Sequence, residues 1–173
     1  MRSERSVRSP ERVDGFKVAV LTISDRCSRG EQKDQSGLLI KEIMETINGE
    51  VIRYDIIPDE KDLIKEKLID YTDNVKAEVV LTTGGTGLGP RDVTPDATGE
   101  IAHKIIPGIS ELIRAEGLKK TQNAVLSRAI SVVRGSSMII NLPGSPKGVR
   151  ESLEAILDII PHALAMLKGA GHP

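Results

Sequence analysis

The chain of 173 residues has no tryptophan, one cysteine, one phenylalanine and two tyrosines. With so few rings, stacking platforms for single-stranded nucleic acid are scarce, and the core must be aliphatic. The lone Cys27 excludes an intrachain disulfide and fits a reducing compartment. Neither sign of charge dominates. Lys and Arg number 24 against 25 Asp and Glu, a formal net charge of -1, so the basic excess of a dedicated nucleic-acid binder is missing. Long hydrophobic runs are missing too: Val18–Ile23, and Ala77–Leu81 with its inset Glu78, fall far short of the roughly 20 residues that a membrane span needs. The opening stretch has arginines and serines but no apolar segment, and it carries Glu4 and Glu11. Met1–Gly15 is therefore expected to be a disordered tail rather than a targeting peptide, and the cytoplasm is the expected location.

What remains is enough for one sizeable core, expected as a single domain over residues 16–173. From Lys17 the chain alternates β-branched runs with helical patterns, the signature of βαβ units. The fold class expected is α/β: three layers, with a mostly parallel sheet and helices on both faces. Strands are predicted at Lys17–Ile23, Glu50–Ile57, Ala77–Thr82, Ile130–Arg134 and Ser137–Asn141. The last two, joined by Gly135-Ser136, read as a hairpin with one antiparallel strand. Between strands, Leu39, Ile43 and Ile47 mark one helix face, and Ile64, Leu68 and Tyr71 another. Thr94-Pro95-Asp96 has the form of a helix start with Thr94 as N-cap, running to about Lys104. A short helix is predicted over Ile109–Glu116. The last long helix starts at Ser145-Pro146, buries Val149, Leu153, Ile156, Leu157 and Ile160, and is interrupted at Pro161.

In an open parallel sheet, ligands lie beyond the carboxyl ends of the strands. Four loops therefore carry the candidate chemistry: Ser24–Gln35, Pro58–Glu60, Gly84–Thr94 and Asn141–Lys147. The third is the richest. Thr83-Gly84-Gly85-Thr86-Gly87-Leu88-Gly89 has four glycines in six residues, which lets backbone N–H groups converge on an anion. It is neither a Walker A loop nor a dinucleotide fingerprint. Glycine content alone fits a tight turn equally well. Arg91 and Asp92 add a cation for phosphate oxygens and a carboxylate for Mg²⁺. Asp59 has the local form of a helix N-cap, with Asp62 at the capping-box distance. The topology also brings Asp59 to the same edge as Asp92, where the two carboxylates would flank a metal–phosphate site. Ser24 and Asp25 read either as phosphate contacts or as a local turn, and Ser145 and Lys147 either as an anion-friendly helix start or as a cap. Arg128, in Leu126-Ser127-Arg128, reads either as reaching the site or, by default, as a surface arginine. Cys27 has no neighbouring base, and His103, His162 and His172 fall in no metal-ligand spacing.

The glycine turn, followed by Arg91-Asp92-Val93-Thr94-Pro95-Asp96-Ala97-Thr98, is accompanied by Ile57-Pro58-Asp59-Glu60 upstream and by Leu126-Ser127-Arg128 and Asn141-Leu142-Pro143-Gly144 downstream. Together these resemble the MogA/MoaB family of molybdenum-cofactor biosynthesis over roughly Lys17 to Lys168. The resemblance implies a molybdopterin-binding α/β fold assembled as a homotrimer or a hexamer built from trimers. It further implies use of Mg²⁺ and ATP to adenylylate molybdopterin with release of pyrophosphate, and a downstream molybdenum-insertion protein as a partner. Asp92 matches the family's essential aspartate and Asp59 its second catalytic aspartate, which makes both catalytic residues and metal ligands. Thr83, Gly84, Gly85, Thr86, Gly87, Arg91, Ser24, Asp25, Ser145 and Lys147 become binding residues. Two alternatives stay open: a relative that binds molybdopterin without catalysis, and a nucleotide- or anion-binding regulatory module.

Overall fold

A computed structural model describes residues 14–169. The expectation of a disordered tail falls almost wholly outside the described residues. Within them, two aliphatic stripes run along β1 (Phe16–Ile23). Phe16, Val18 and Val20 face one helix layer, while Ala19, Leu21 and Ile23 face the other, as the period of two residues in a strand requires. Burial on both sides is why such a strand reads as an unbroken apolar run. It is joined by β2 (Gly49–Ile57), β3 (Val79–Thr83), β4 (Lys104–Ile105), β5 (Ser131–Arg134) and β6 (Ser137–Leu142). Together they form one six-stranded sheet in the order β2-β1-β3-β6-β5-β4. The first four are parallel; β5 is antiparallel to β6, as the hairpin spacing predicts, and β4 is antiparallel to β5. The β1–β2 register shifts between Val18 and Ala19, where β2 takes in one extra residue.

The helices are α1 (Asp25–Ser28), α2 (Gln35–Glu45), α3 (Lys61–Ile69), α4 (Thr94–Glu100), α5 (Pro107–Leu118), α6 (Pro146–Ile156) and α7 (Ile160–Leu167). Core residues of α2, α5, α6 and α7 cover one face of the sheet, and those of α3 and α4 cover the other. This is the three-layer arrangement that the alternating pattern predicts.

Several local expectations are corrected. The inner face of α2 is Ser36, Ile40 and Met44, whereas Leu39, Ile43 and Ile47 are only partly buried. The first turn sets that phase: Asp34 caps it by accepting from the Gly37 N–H at 2.9 Å, and it also takes the hydroxyls of Thr22 and Tyr54. Glu100 ends α4, because Lys104 and Ile105 pair with Val133 and Val132 as an edge strand too short to leave a pattern. Val93, not Thr94, occupies the N-cap position of α4. The break before α7 comes at Leu157–Ile159, and Pro161 sits in the first turn of α7, where its missing N–H costs no hydrogen bond.

One buried polar residue ties the hairpin to the rest. Asn141, fully buried, donates to the Thr82 and Thr98 hydroxyls at 3.0 Å each and accepts from the Ile130 N–H at 3.2 Å. Asn141→Leu is expected to lower the unfolding free energy by about 2–4 kcal/mol, read from urea denaturation, because it orphans a main-chain donor and removes two hydroxyl contacts in a dry interior.

Candidate functional site

Thr22 lies level with Thr83, Ile23 with Ile57, and Thr83 with Leu142, so four loops leave the sheet along one edge. The order changes direction between β1 and β3, and at such a switch point an open sheet leaves a crevice. The glycine turn fills the floor of that crevice. A Cβ on Gly84 would stand 2.2 Å from the Ile23 carbonyl oxygen, and one on Gly85 would stand 2.4 Å from Thr94 Oγ1; both residues have positive φ. The Gly84 N–H donates to the Leu142 carbonyl (3.2 Å), the Thr94 N–H to the Gly85 carbonyl (3.1 Å), and the Thr83 hydroxyl to the Pro143 carbonyl (2.6 Å). The Ser36 hydroxyl donates to the Gly144 carbonyl at 2.7 Å. Two of the four expected loops, those after β3 and β6, thus meet at Gly84, with the end of β1 packed against it and Ser36 of α2 bonded to the second.

The next four main-chain donors behave differently. Among the described residues, the N–H groups of Gly85, Thr86, Gly87 and Leu88 find no acceptor in the protein. Consecutive unpaired amides in a glycine turn form the concavity that cradles an anion. The Thr94 hydroxyl, buried against Gly85, is likewise unpartnered.

Acidic groups rim this cradle. Asp59 is no cap, since Glu60 holds the N-cap position of α3. Instead the Asp25 N–H donates to Asp59 Oδ2 at 2.9 Å and the Asp59 N–H donates to Asp25 Oδ1 at 3.0 Å, a reciprocal clasp between the first two loops. Burial pushes the Asp59 carboxyl above the ordinary carboxylate range. The negative charges of Asp25 and Asp92 push it the same way, against the bond from the Asp25 amide. Asp25 moves the opposite way: the Arg91 guanidinium, bound through Nε at 3.1 Å and Nη2 at 2.8 Å, holds its carboxyl below the ordinary value. Asp92 accepts from the Gly89 N–H through Oδ2 at 2.9 Å, and that oxygen also stands 2.9 Å from where a Cβ on Gly87 would be. The two aspartates singled out from sequence are therefore at one site.

Other expected residues divide. The Ser24 hydroxyl caps α1 by accepting from the Cys27 N–H, and Ser145 caps α6 by accepting from the Gly148 N–H. Lys147 is exposed beside an open groove that it shares with Lys33, Leu38 and Arg150, away from the carboxylates. Ser24, Thr83, Gly84, Ser36 and Gly144 line a cleft of about 150 Å³, the volume of a single aromatic ring. Sequence reading missed Ser36 and underrated Arg128. Arg128 grips the underside of the glycine loop: Nε donates to the Gly87 carbonyl (3.1 Å), Nη2 to the Asp92 carbonyl (2.7 Å), and Nη1 and Nη2 to Asp96 (3.1 and 2.8 Å). Its place just before antiparallel β5, which begins at the carboxyl edge of the parallel strands, was the available signal.

The chain that builds this site falls in a known class of proteins. Residues 19–162 match the family described as "Probable molybdopterin binding domain", and the chain belongs to that family. It is 43% identical over 154 residues to the molybdopterin adenylyltransferase of Helicobacter pylori (strain J99 / ATCC 700824), covering 88% of each chain. To the molybdopterin adenylyltransferase of Escherichia coli (strain K12) it is 34% identical over 168 residues, covering 89% of this chain and 86% of that one. Its fold superposes with a TM-score of 0.85 on the molybdopterin biosynthesis enzyme MoaB from Thermus thermophilus, at 49% identity over 89% of this chain and 97% of that one.

Two outcomes test the geometry. Gly84→Ala is expected to cost at least about 2 kcal/mol in urea unfolding, since alanine would need both a left-handed backbone and room that the Ile23 carbonyl occupies. Asp59 carries a raised pKa, so its contribution to stability is present below the ordinary value of 3.8 and is lost as pH rises through its folded value. Asp59→Asn, which keeps an acceptor for the Asp25 amide, should therefore melt higher than the parent at pH 7, with the difference closing at pH values below 3.8.

Proposed function

We propose that this chain is a molybdopterin adenylyltransferase. In this reading an oxygen of the terminal phosphate of molybdopterin attacks the α-phosphorus of ATP, the bond to the β-phosphate oxygen breaks, and pyrophosphate leaves. The observation that carries the reading is the row of unpaired amides from Gly85 to Leu88 beside Asp59 and Asp92. Those amides bind phosphate oxygens and hold the nucleotide in line without any rearrangement of the loop. Thr83 and Gly84 fix the start of the cradle. Arg91 faces the phosphates across Asp25, while Ser24 and Asp25 hold the loop that carries Asp59. The cleft beside Ser24 and Gly144 takes one ring of a substrate, with Pro146 at the start of α6 on its wall; Ser145 serves by capping that helix, and Lys147 lies in the neighbouring groove.

The donor set fits Mg²⁺. Among the described residues no three Asp, Glu, His or Cys side chains converge to hold an ion. Two carboxylates with phosphates and waters are what Mg²⁺ commonly takes, however, and the raised Asp59 carboxyl, beside the charges of Asp25 and Asp92, is in a setting that a cation relieves. Asp59 and Asp92 would hold it, and when bound it neutralises phosphate charge. The described chain leaves Leu88, Val125 and Leu126 exposed, which supports self-association, as a homotrimer or a hexamer, in which another copy covers them. We place residues 16–173 in one domain and the protein in the cytoplasm.

Binding of molybdopterin without transfer is the second reading, favoured by the bond from the Gly89 amide to Asp92 Oδ2, which engages a carboxylate oxygen that a metal would use. Anaerobic incubation with Mg-ATP and molybdopterin, followed by mass spectrometry, separates the two. Adenylylated molybdopterin together with pyrophosphate supports transfer, whereas tight binding with no product supports the second reading. Asp92→Asn keeps an acceptor for the Gly89 amide and is expected to lower kcat by roughly 100-fold or more with an unchanged melting temperature.

A further inference from the structure

We infer that Arg128 is the positioning residue of the phosphate cradle: its contacts with the Thr86, Gly87 and Asp92 carbonyls turn the glycine-loop amides outward and set Asp92 beside them. The main-chain N–H of Arg128 donates to the Thr86 carbonyl at 2.8 Å, and its guanidinium reaches the Gly87 and Asp92 carbonyls at 3.1 and 2.7 Å. In a trans peptide the carbonyl of one residue and the N–H of the next point in opposite directions. Drawing the carbonyls of Thr86 and Gly87 toward Arg128 therefore points the N–H groups of Gly87 and Leu88 away from it, and these are two of the four unpaired donors. The grip on the Asp92 carbonyl fixes the backbone that carries the carboxylate, which in turn closes the loop onto the Gly89 N–H at 2.9 Å.

Asp96 makes this grip rigid. It lies on the first turn of α4 and takes the guanidinium through both carboxylate oxygens, at 3.1 and 2.8 Å, so the fork cannot swing out to solvent without losing two charge-assisted bonds. The same fork faces two carbonyls and one carboxylate in fixed directions, a task for which a lysine ammonium has the charge but not the geometry. Arg128 touches no substrate in this scheme. It acts through the amides and through Asp92, in contrast to Arg91, whose side chain is exposed and whose hydrogen bonds go to Asp25.

The nature of the anion rests on the adenylyltransferase reading, but the orientation of the cradle does not depend on it. The test is calorimetric titration of inorganic pyrophosphate, and separately of Mg-ATP, into the full chain and into Arg128→Gln, Arg128→Lys and Asp96→Asn, with a melting curve for each. Arg128→Gln and Arg128→Lys should each weaken pyrophosphate binding at least about tenfold at temperatures where the variant is fully folded, and Asp96→Asn should weaken it a fewfold. A role confined to holding the fold would lower the melting temperature and leave affinity unchanged. Folded Arg128→Gln with parental affinity overturns the inference, and so does full rescue by Arg128→Lys. Should Arg128→Gln fail to fold, Asp96→Asn decides, since unaltered affinity there overturns it and a fewfold loss supports it. A parent chain that binds pyrophosphate but transfers no AMP overturns the adenylyltransferase reading alone. A parent chain that binds no pyrophosphate overturns the cradle and the role of Arg128 together.

Discussion

Main-chain crowding at the end of β3 is the constraint on which the site depends. Gly84 passes so close to the Ile23 carbonyl, and Gly85 so close to the Thr94 hydroxyl, that no side chain fits at either place. Because the backbone passes there, the end of β3 and its turn reach by hydrogen bonds both the start of α4 and the chain that leaves β6, and Ser36 of α2 reaches that same loop. Tight packing pairs the Gly84 N–H with the Leu142 carbonyl but leaves the amides just beyond it without an acceptor in the protein. An anion-binding surface is thus a by-product of how the sheet closes over its switch point.

Charge around this surface is arranged in unequal pairs. Asp25 and Asp96 each have an arginine and a correspondingly lowered pKa. Asp59 has only the Asp25 amide, partial burial and two like charges nearby, and its pKa rises. An arrangement optimised for stability alone would not keep a half-buried carboxylate among its own kind. Retaining one at the mouth of a cradle is the pattern expected where a cationic complex completes the site. The two arginines differ in the same spirit: Arg91 is exposed and held by one carboxylate through its fork, whereas Arg128 is locked by four acceptors on three residues.

The layers, the parallel order and the loop edge were legible because buried parallel strands are plain apolar runs and because glycine, proline and aspartate cluster where strands end. Topology brought the loops of Asp59 and Asp92 to one edge, and the family resemblance was what made Asp59 a site residue rather than a cap. What could not be read were features set by tertiary partners. The two-residue β4 exists because β5 offers an edge, and α2 turns its Ser36–Ile40–Met44 side inward because Asp34 is anchored by Thr22 and Tyr54. Asp59 looked like a cap because its sequence neighbours suit one; its actual partner, Asp25, is 34 residues away. Arg128 could not be given a role for the same reason, since its acceptors, Gly87, Asp92 and Asp96, lie 32 to 41 residues away in sequence.

The extra residue in β2 has a further meaning. Before the irregularity Val18 faces Val51; after it Ala19 faces Arg53, so Ile52 is the supernumerary residue. Val51 and Tyr54, three positions apart, consequently pack into the same layer, and Ile23 draws level with Ile57 rather than Ile56. Without the insertion Tyr54 would turn its ring to the opposite layer, and Asp59 would stand one step farther along the chain from Asp25. The meeting of the two carboxylate loops is therefore governed by a count of residues made near the far end of the strand. Exchanging a side chain in β2 leaves that count intact, whereas adding or removing one position would shift Asp59 against Asp25.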